Sequence, residues 1–221
     1  MSLQITIATD EGHWVEERIV DLMAQWRGEG HTVTVAYRAE DIPQGDICFP
    51  LGCGFLLRPE VLERNRHNLV VHASDLPSGR GWSPMTWQVL EGKREIPIVL
   101  FEAREAVDSG PIYLRETMVF DGTELLDELR EAVAQCTMSL CERFVATYPA
   151  VLDGATAQSG TASYYPRRTA KDSELDPEKS LAAQFALLRV VDNQRYPAFF
   201  ELNGARYTLQ IQRADPPSTS D

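Results

Sequence analysis

Short β-branched runs alternate along this chain with stretches of helical spacing. Leu3 to Ala8 is one such run; Val15, Ile19, Leu22, Met23 and Trp26 then recur with the period of a helix, and His31 to Tyr37 sets Val33 and Val35 between Thr32 and Thr34. That order predicts a β-α-β unit. Asp46 to Leu51 predicts a third strand, Pro59 to Asn65 a short helix with proline in its first turn, Leu69 to Ala73 a fourth strand and Ile96 to Ala103 a fifth. Ser83 and Pro84 read as the N-cap and first residue of a helix ending near Gly92. Asp121 with Glu124 reads as a capping box ahead of a long helix whose apolar stripe is Leu125, Leu129, Ala132, Cys136, Leu140, Phe144 and Tyr148. Strands separated by helices imply an α/β fold, a Rossmann-like and mainly parallel sheet covered on both faces.

After Pro149 the chain turns to Gly, Ser, Thr and Ala through Ser163, the composition of a surface connection. Ser180 to Val191 predicts a helix, and Asn203-Gly204 between Ala198–Leu202 and Arg206–Ile211 predicts a two-residue hairpin. We therefore expect a first domain over residues 1–150, a small helix-plus-hairpin unit over 151–214 and a disordered tail over 215–221.

Composition narrows the class. With 221 residues, 43% of them hydrophobic, the chain has enough apolar material for one sizeable core. The longest apolar runs fall far short of a membrane span of ~20 residues, and MSLQITIATDEGHW lacks the basic-then-apolar pattern of an export signal. A soluble cytoplasmic protein is expected, with no membrane partner. Cys48, Cys53, Cys136 and Cys141 lack metal-type spacing and read as reduced thiols in or near the core, with zinc a lesser alternative. The balance of 21 basic against 33 acidic residues argues against a protein that coats nucleic acid, because neutralising phosphates takes a surplus of Lys and Arg.

Open α/β sheets bind ligands beyond the carboxyl ends of their strands, so residues just after strands carry the most information. His72 closes the fourth strand in NLVVHASDLPSGRGWSP, and Asp108 follows the fifth in IVLFEAREAVDSGPIY. A carboxylate beside an imidazole orients it and raises its pKa, which makes a proton-transfer pair; a strand-end histidine bonded to backbone and a turn-opening aspartate are the alternative.

HASDLPSGRGWSPMTWQVLEG followed by VDSGPIY resembles the signature of the 10-formyltetrahydrofolate-dependent formyltransferases, which runs Asn-x-His, SLLP, Arg-Gly, Pro and then Asp-x-Gly-x-Ile. The resemblance implies that His72 and Asp108 carry formyl transfer, with no metal. It also shows a departure: the family asparagine corresponds to Val70, which removes an expected oxyanion donor. Asn68 lies on the same strand face, but at ~3.3 Å per residue its Cα is about 13 Å from that of His72. Ser74, a backbone amide, a water or protonated His72 are the remaining candidates. Within the family the chain is too short for the large tRNA-binding domain of the methionyl-tRNA enzymes. ASYYPRRTAKDSELDPEKS and LLRVVDNQRYPAFF resemble the sugar-nucleotide branch, and most closely its pseudaminic-acid-pathway type, which acts on a UDP-linked 4-amino-4,6-dideoxy sugar.

The resemblance implies a nucleotide-linked amino sugar and folate as partners, and the residues are compatible with both. Arg167, Arg168 and Lys171 form a local cluster without an acid, suited to a pyrophosphate, while Tyr164, Tyr165, Tyr196 and Phe200 are candidates for stacking on a uracil whose edges Asn193 would read, with Arg195 beside them. Pairing of the arginines with Asp172, Glu174 or Asp176 is the structural alternative. For the folate, Phe55, Leu56 and Leu57 form one wall and Ala103 to Val107, including Ala106 and Val107, the other; packing is the alternative for the leucines. His13, Trp14, Arg80 and Trp82 complete the substrate candidates. The function expected is transfer of a formyl group to the sugar amine, for bacterial surface glycan synthesis, by a monomer or homodimer. Two other readings stand beside it: hydrolysis of the donor or formylation of another small amine, and a noncatalytic sugar-nucleotide or folate-binding module.

Overall fold

The computed structural model describes residues 1–214, so the expected tail at 215–221 lies outside the described residues. The first unit forms where the pattern places it: β1 (Gln4–Ala8), α1 (Glu16–Gly28), β2 (Thr32–Ala36) and β3 (Gly45–Pro50). There follow α2 (Pro59–Leu62), β4 (Asn65–His72), β5 (Arg80–Gly81), α3 (Pro84–Leu90), β6 (Glu95–Glu102), β7 (Ile112–Val119) and α4 (Leu126–Thr147). Beyond α4 come β8 (Tyr164–Tyr165), α5 (Phe185–Val190), β9 (Ala198–Leu202) and β10 (Ala205–Leu209).

Six strands make one sheet in the order β2-β1-β3-β4-β6-β7. The four strands from β2 to β4 pair parallel, whereas β6 runs antiparallel to β4 and β7 antiparallel to β6. The mainly parallel sheet is thus as expected, with an antiparallel edge. Length explains that edge. A parallel crossover must return along an eight-residue strand of about 26 Å, but the seven residues of α3 span only about 10 Å, so the next strand runs back instead.

β7 was not legible as a strand because its inward position 116 is a glutamate. Glu116 accepts hydrogen bonds from Ser139 (3.1 Å) and Arg143 (2.5 Å) of α4, so a polar residue sits where alternation demands an apolar one. At α4 the expected cap shifts. Glu124 closes a turn on the Asp121 N–H at 2.7 Å, while the helix itself begins after Leu125, whose N–H is taken by Glu128 at 2.8 Å. Ser83 likewise does not cap α3 with its side chain; it takes a left-handed conformation, φ 48°. The expected C-terminal helix is shorter than its pattern, a 3-10 turn at Ala182–Gln184 running into α5. The hairpin forms as read, with Asn203 and Gly204 both at positive φ, as a type I′ turn requires.

One face of the sheet packs on α1 and α4. Trp26 lies 5.4 Å from Phe49, Phe49 6.4 Å from Phe144, and Phe144 5.3 Å from Tyr113 between ring centroids. The opposite face carries two smaller clusters, Ala8, Ala36 and Cys48 under Val61, and Val99, Phe101 and Ile112 under Leu76, with Val70 half-buried beside the second. Burial pushes the thiols of Cys48 and Cys53 up to about 12, so both stay protonated. No helix among the described residues is long and apolar enough to cross a membrane.

Candidate active site

His72 ends β4 and is 8% exposed. Its Nε2 lies 2.8 Å from the Gly79 carbonyl oxygen, and since a carbonyl only accepts, the proton is on Nε2. In the neutral ring Nδ1 is then a lone pair, able to accept a proton. Asp108 takes a left-handed conformation, φ 53°, and its Oδ2 accepts the Gly81 N–H at 2.9 Å. The two groups are therefore not paired with each other. Each is held by the same three-residue stretch, Gly79 to Gly81, which brings them together without an imidazole–carboxylate bond.

Asp108 reaches this place from a closed loop. The Glu102 N–H donates to Pro111 O at 2.9 Å, which seals the base of residues 103–110. Glu102, itself buried, is fixed to β4 through the Asn68 N–H at 2.6 Å and to His67 Nδ1 at 2.9 Å, and Tyr113 donates to it at 3.0 Å. Gln158 then staples the far end of the loop, donating to both Asp108 O and Gly110 O at 2.9 Å. Arg80 donates to Gln158 at 2.6 Å and to the Tyr164 hydroxyl at 3.3 Å, so it secures this loop and lies outside the cleft lining.

A cleft of about 480 Å³ opens at the carboxyl ends of β1, β3 and β4, with His72 in its lining. Of the substrate candidates, His13, Trp14, Trp82, Arg167, Arg168, Arg195 and Tyr196 border it. So does Arg130 of α4. Four arginines face one acid in this lining, Asp192, in a protein whose net charge is −12. The arginines differ in freedom. Arg168 is spent on the carbonyls of Val190 and Asp172 and burial lowers its pKa, whereas Arg167 lies 4.9 Å over the Trp82 ring and is free of any ion pair among the described residues, as is Arg195.

Asp192 organises the basic wall. Its Oδ1 receives the N–H groups of Gln194 and Arg195, both at 3.0 Å, and its Oδ2 receives Arg130 at 2.9 Å. Burial alone would raise this carboxyl, but the Arg195 N–H, Arg130 and the Gln194 N–H outweigh it and hold the pKa below the ordinary aspartate value. A depressed folded pKa gives stability that is complete above the unfolded value and is lost as the pH falls through the folded one. Asp192→Asn should therefore cost about 2 kcal/mol at pH 7. The gap to the wild type should close below about pH 4. Urea unfolding at several pH values measures both; a gap independent of pH would show that the charge is not what matters.

Several expected contacts lie elsewhere. Tyr164 and Tyr165 form β8, which pairs with β5; Tyr165 stacks on Trp87 at 6.2 Å and donates to Glu91, and neither tyrosine borders the cleft. The Asn193 amide is closed on Ile211, donating to its O at 2.8 Å and accepting its N–H at 3.2 Å. Phe200 stacks on Tyr207 in the hairpin at 5.4 Å. Ser74 is buried behind the cleft with its hydroxyl unpartnered, and Lys171 is outside the lining. Phe55 and Leu57 pack against Ala8, Cys48 and Val61, while Leu56, Ala106 and Val107 are exposed. These five lie outside the cleft. Sequence reasoning missed Arg130, Asp192 and Gln158, since the Arg130–Asp192 pair joins residues 62 positions apart and leaves no local signal.

Residues 41–144 match the family model described as formyl transferase. This segment belongs to the formyl transferase family. The chain is 31% identical over 148 residues to the methionyl-tRNA formyltransferase of Thermosipho melanesiensis, an overlap of 66% of this chain and 47% of that protein. It thus spans about half the length of that curated relative. In structure it is similar to methionyl-tRNA formyltransferase from Clostridium thermocellum (TM-score 0.80, 19% identity, 99% of this chain and 95% of that one). It is also similar to HypX from Aquifex aeolicus in complex with tetrahydrofolic acid (0.75, 17%, 96% and 38%) and to a sugar N-formyltransferase from a Shewanella species (0.72, 13%, 96% and 99%). At these identities the structural likeness establishes the fold of the formyl transferase family.

Proposed function

We propose that this protein is an enzyme that moves a formyl group from 10-formyltetrahydrofolate to the primary amine of a nucleotide-linked amino sugar, a UDP-linked 4-amino-4,6-dideoxy sugar of the pseudaminic-acid pathway type. The observation that carries this reading is the cleft that holds His72 together with four arginines and one acid. A diphosphate suits such a wall, because guanidinium groups bind phosphate oxygens in pairs. Arg167 and Arg195 are the two free to do so. Trp82 and Tyr196, 43% and 46% exposed, offer aromatic faces in the same cleft.

The residues on the sheet face turned away from α1 and α4 fit a folate. Asn68 bonds to Leu62 O of α2 at 2.9 Å and its own O receives the Ala103 N–H at 2.6 Å, so the segments before β4 and after β6 flank one strip of β4. The Asn68 Oδ1 in that strip is buried without a donor, as a site for an amino-bearing heterocycle requires. Leu56 and Val107, 67% and 50% exposed, would give the ring apolar cover, with Ala106 beside them and Phe55 and Leu57 as backing. The folate supplies an activated formyl group. The protein's part is to hold the amine unprotonated and to move its proton: His72 Nδ1, in the cleft, and the Asp108 carboxylate, outside its lining but joined to His72 through Gly79–Gly81, are the candidate acceptors.

The 31% identical relative favours a second acceptor, methionyl-tRNA. Binding and turnover distinguish the two. We expect UDP to stabilise the protein in thermal shift more than dTDP, and Arg195→Ala to weaken UDP binding about tenfold, the loss of one charge-assisted contact. Formyl transfer to the UDP-amino sugar should proceed while methionyl-tRNA is left unmodified. Formylation of methionyl-tRNA without stabilisation by either nucleotide would replace the sugar reading.

A further inference from the structure

Attack of an amine on a formyl group moves the carbonyl π pair onto oxygen, and that charge needs a hydrogen-bond donor. The obvious groups do not supply one. The Nε2–H of His72 is spent on Gly79 O, Asp108 is an acceptor, and Val70, on the same strand face as His72, is apolar. Arg130 and Arg168 are engaged with Asp192 and with carbonyl oxygens.

His13, in the loop between β1 and α1, has the missing property. The Val15 N–H donates to its Nδ1 at 3.3 Å, which makes Nδ1 the acceptor and leaves the proton on Nε2. Nε2 has no partner among the described residues. Burial outweighs the pull of Asp10, with Arg130 and Arg195 adding to it, and lowers the His13 pKa, so the ring is neutral at pH 7. Its position is set by Gly52: a Cβ there would stand 2.4 Å from His13 Cε1 and 2.5 Å from Nδ1, so the ring fills the space a side chain would need. β3 pairs with β4, Cys48 standing opposite Asn68, and Gly52 follows the end of β3 as His72 closes β4. The two imidazoles border the same cleft from the ends of β1 and β4, with β3 between them.

We propose that His13 is a catalytic residue, the donor that places its Nε2–H on the formyl oxygen during transfer; the inference rests on the formyl-transfer reading above. The amine nitrogen forms a bond to the formyl carbon and the π pair moves to the oxygen facing His13. The pair returns as the bond to N10 of the folate breaks, and the proton lost by the amine ends on N10. His13 keeps its own proton throughout.

Steady-state kinetics of His13→Ala and His13→Gln, both checked for folding by circular dichroism, test this role. His13→Ala should lower kcat about a hundredfold, with both KM values unchanged. His13→Gln, which restores an N–H, should recover most of the rate. In ¹⁵N-histidine NMR the free protein should show the Nε2–H tautomer, and 10-formyl-5,8-dideazafolate should shift that resonance. A glutamine variant no better than alanine, a loss confined to the KM of the acceptor, or a resonance that the folate analogue leaves in place would each overturn the assignment. Failure of the wild type to formylate any amine would remove the function proposed above, and the NMR titration alone would then decide whether His13 meets the formyl oxygen.

Discussion

Replacing His72 by alanine or Asp108 by asparagine lowers kcat about a thousandfold, the scale of a lost acid–base group. Nucleotide affinity should stay as it was. The two substitutions test different things. His72→Ala removes both the Nδ1 lone pair and the bond to Gly79 O. Asp108→Asn keeps an oxygen for the Gly81 N–H and removes only the charge and its capacity to take a proton. Arg167 and Arg195, the proposed diphosphate contacts, bond to neither residue, which is why binding and turnover should separate. Initial rates at saturating donor, with UDP affinity measured by titration calorimetry, decide the matter; full turnover in either variant would strip that residue of its role.

Gly110→Ala should cost about 3 kcal/mol, at the upper end of what an inserted methyl group does in a packed site. The reason lies in the loop that delivers Asp108. A Cβ on Gly110 would stand 1.7 Å from the Glu102 carbonyl oxygen and 2.8 Å from its carbon, and both are main-chain atoms of β6 that cannot swing away. Glu102 cannot yield either, since it is bound to Asn68, His67 and Tyr113. The loop must open, so activity should fall together with the urea midpoint. A variant of ordinary stability and rate would mean that residues 102 and 110 are less tightly apposed than in this structure.

Much of the first domain could be read from its pattern because its devices are local. The β-α-β opening rests on periodicity, and the hairpin rests on Asn203-Gly204, whose backbone conformation few other pairs adopt. His72 and Asp108 were found from motif order, yet the bond expected between them is absent: Gly79 and Gly81 hold them instead, an arrangement that spacing does not encode. β7 escaped because Glu116 occupies an inward position and is satisfied by α4. The cluster Arg167, Arg168 and Lys171 was visible as charge, but charge in sequence does not say which side chains turn inward to carbonyls, and only Arg167 keeps its guanidinium unpaired at the cleft. Arg130 was invisible for the converse reason, a single basic residue on a helix whose importance comes from Asp192 across the fold.

Gly79 to Gly81 ties His72 and Asp108 to the C-terminal third of the chain. The Arg80 N–H donates to Ser163 O at 2.9 Å and the Trp82 N–H to Tyr165 O at 3.1 Å, so β8 is stitched along the very stretch that grips both groups. Two residues past Tyr165, Arg167 turns to the basic wall. Only a few peptide units therefore join the anion end to the proton-handling end, and a chain cut before Ser163 would keep its central sheet while losing the brace on the stretch that holds imidazole and carboxylate.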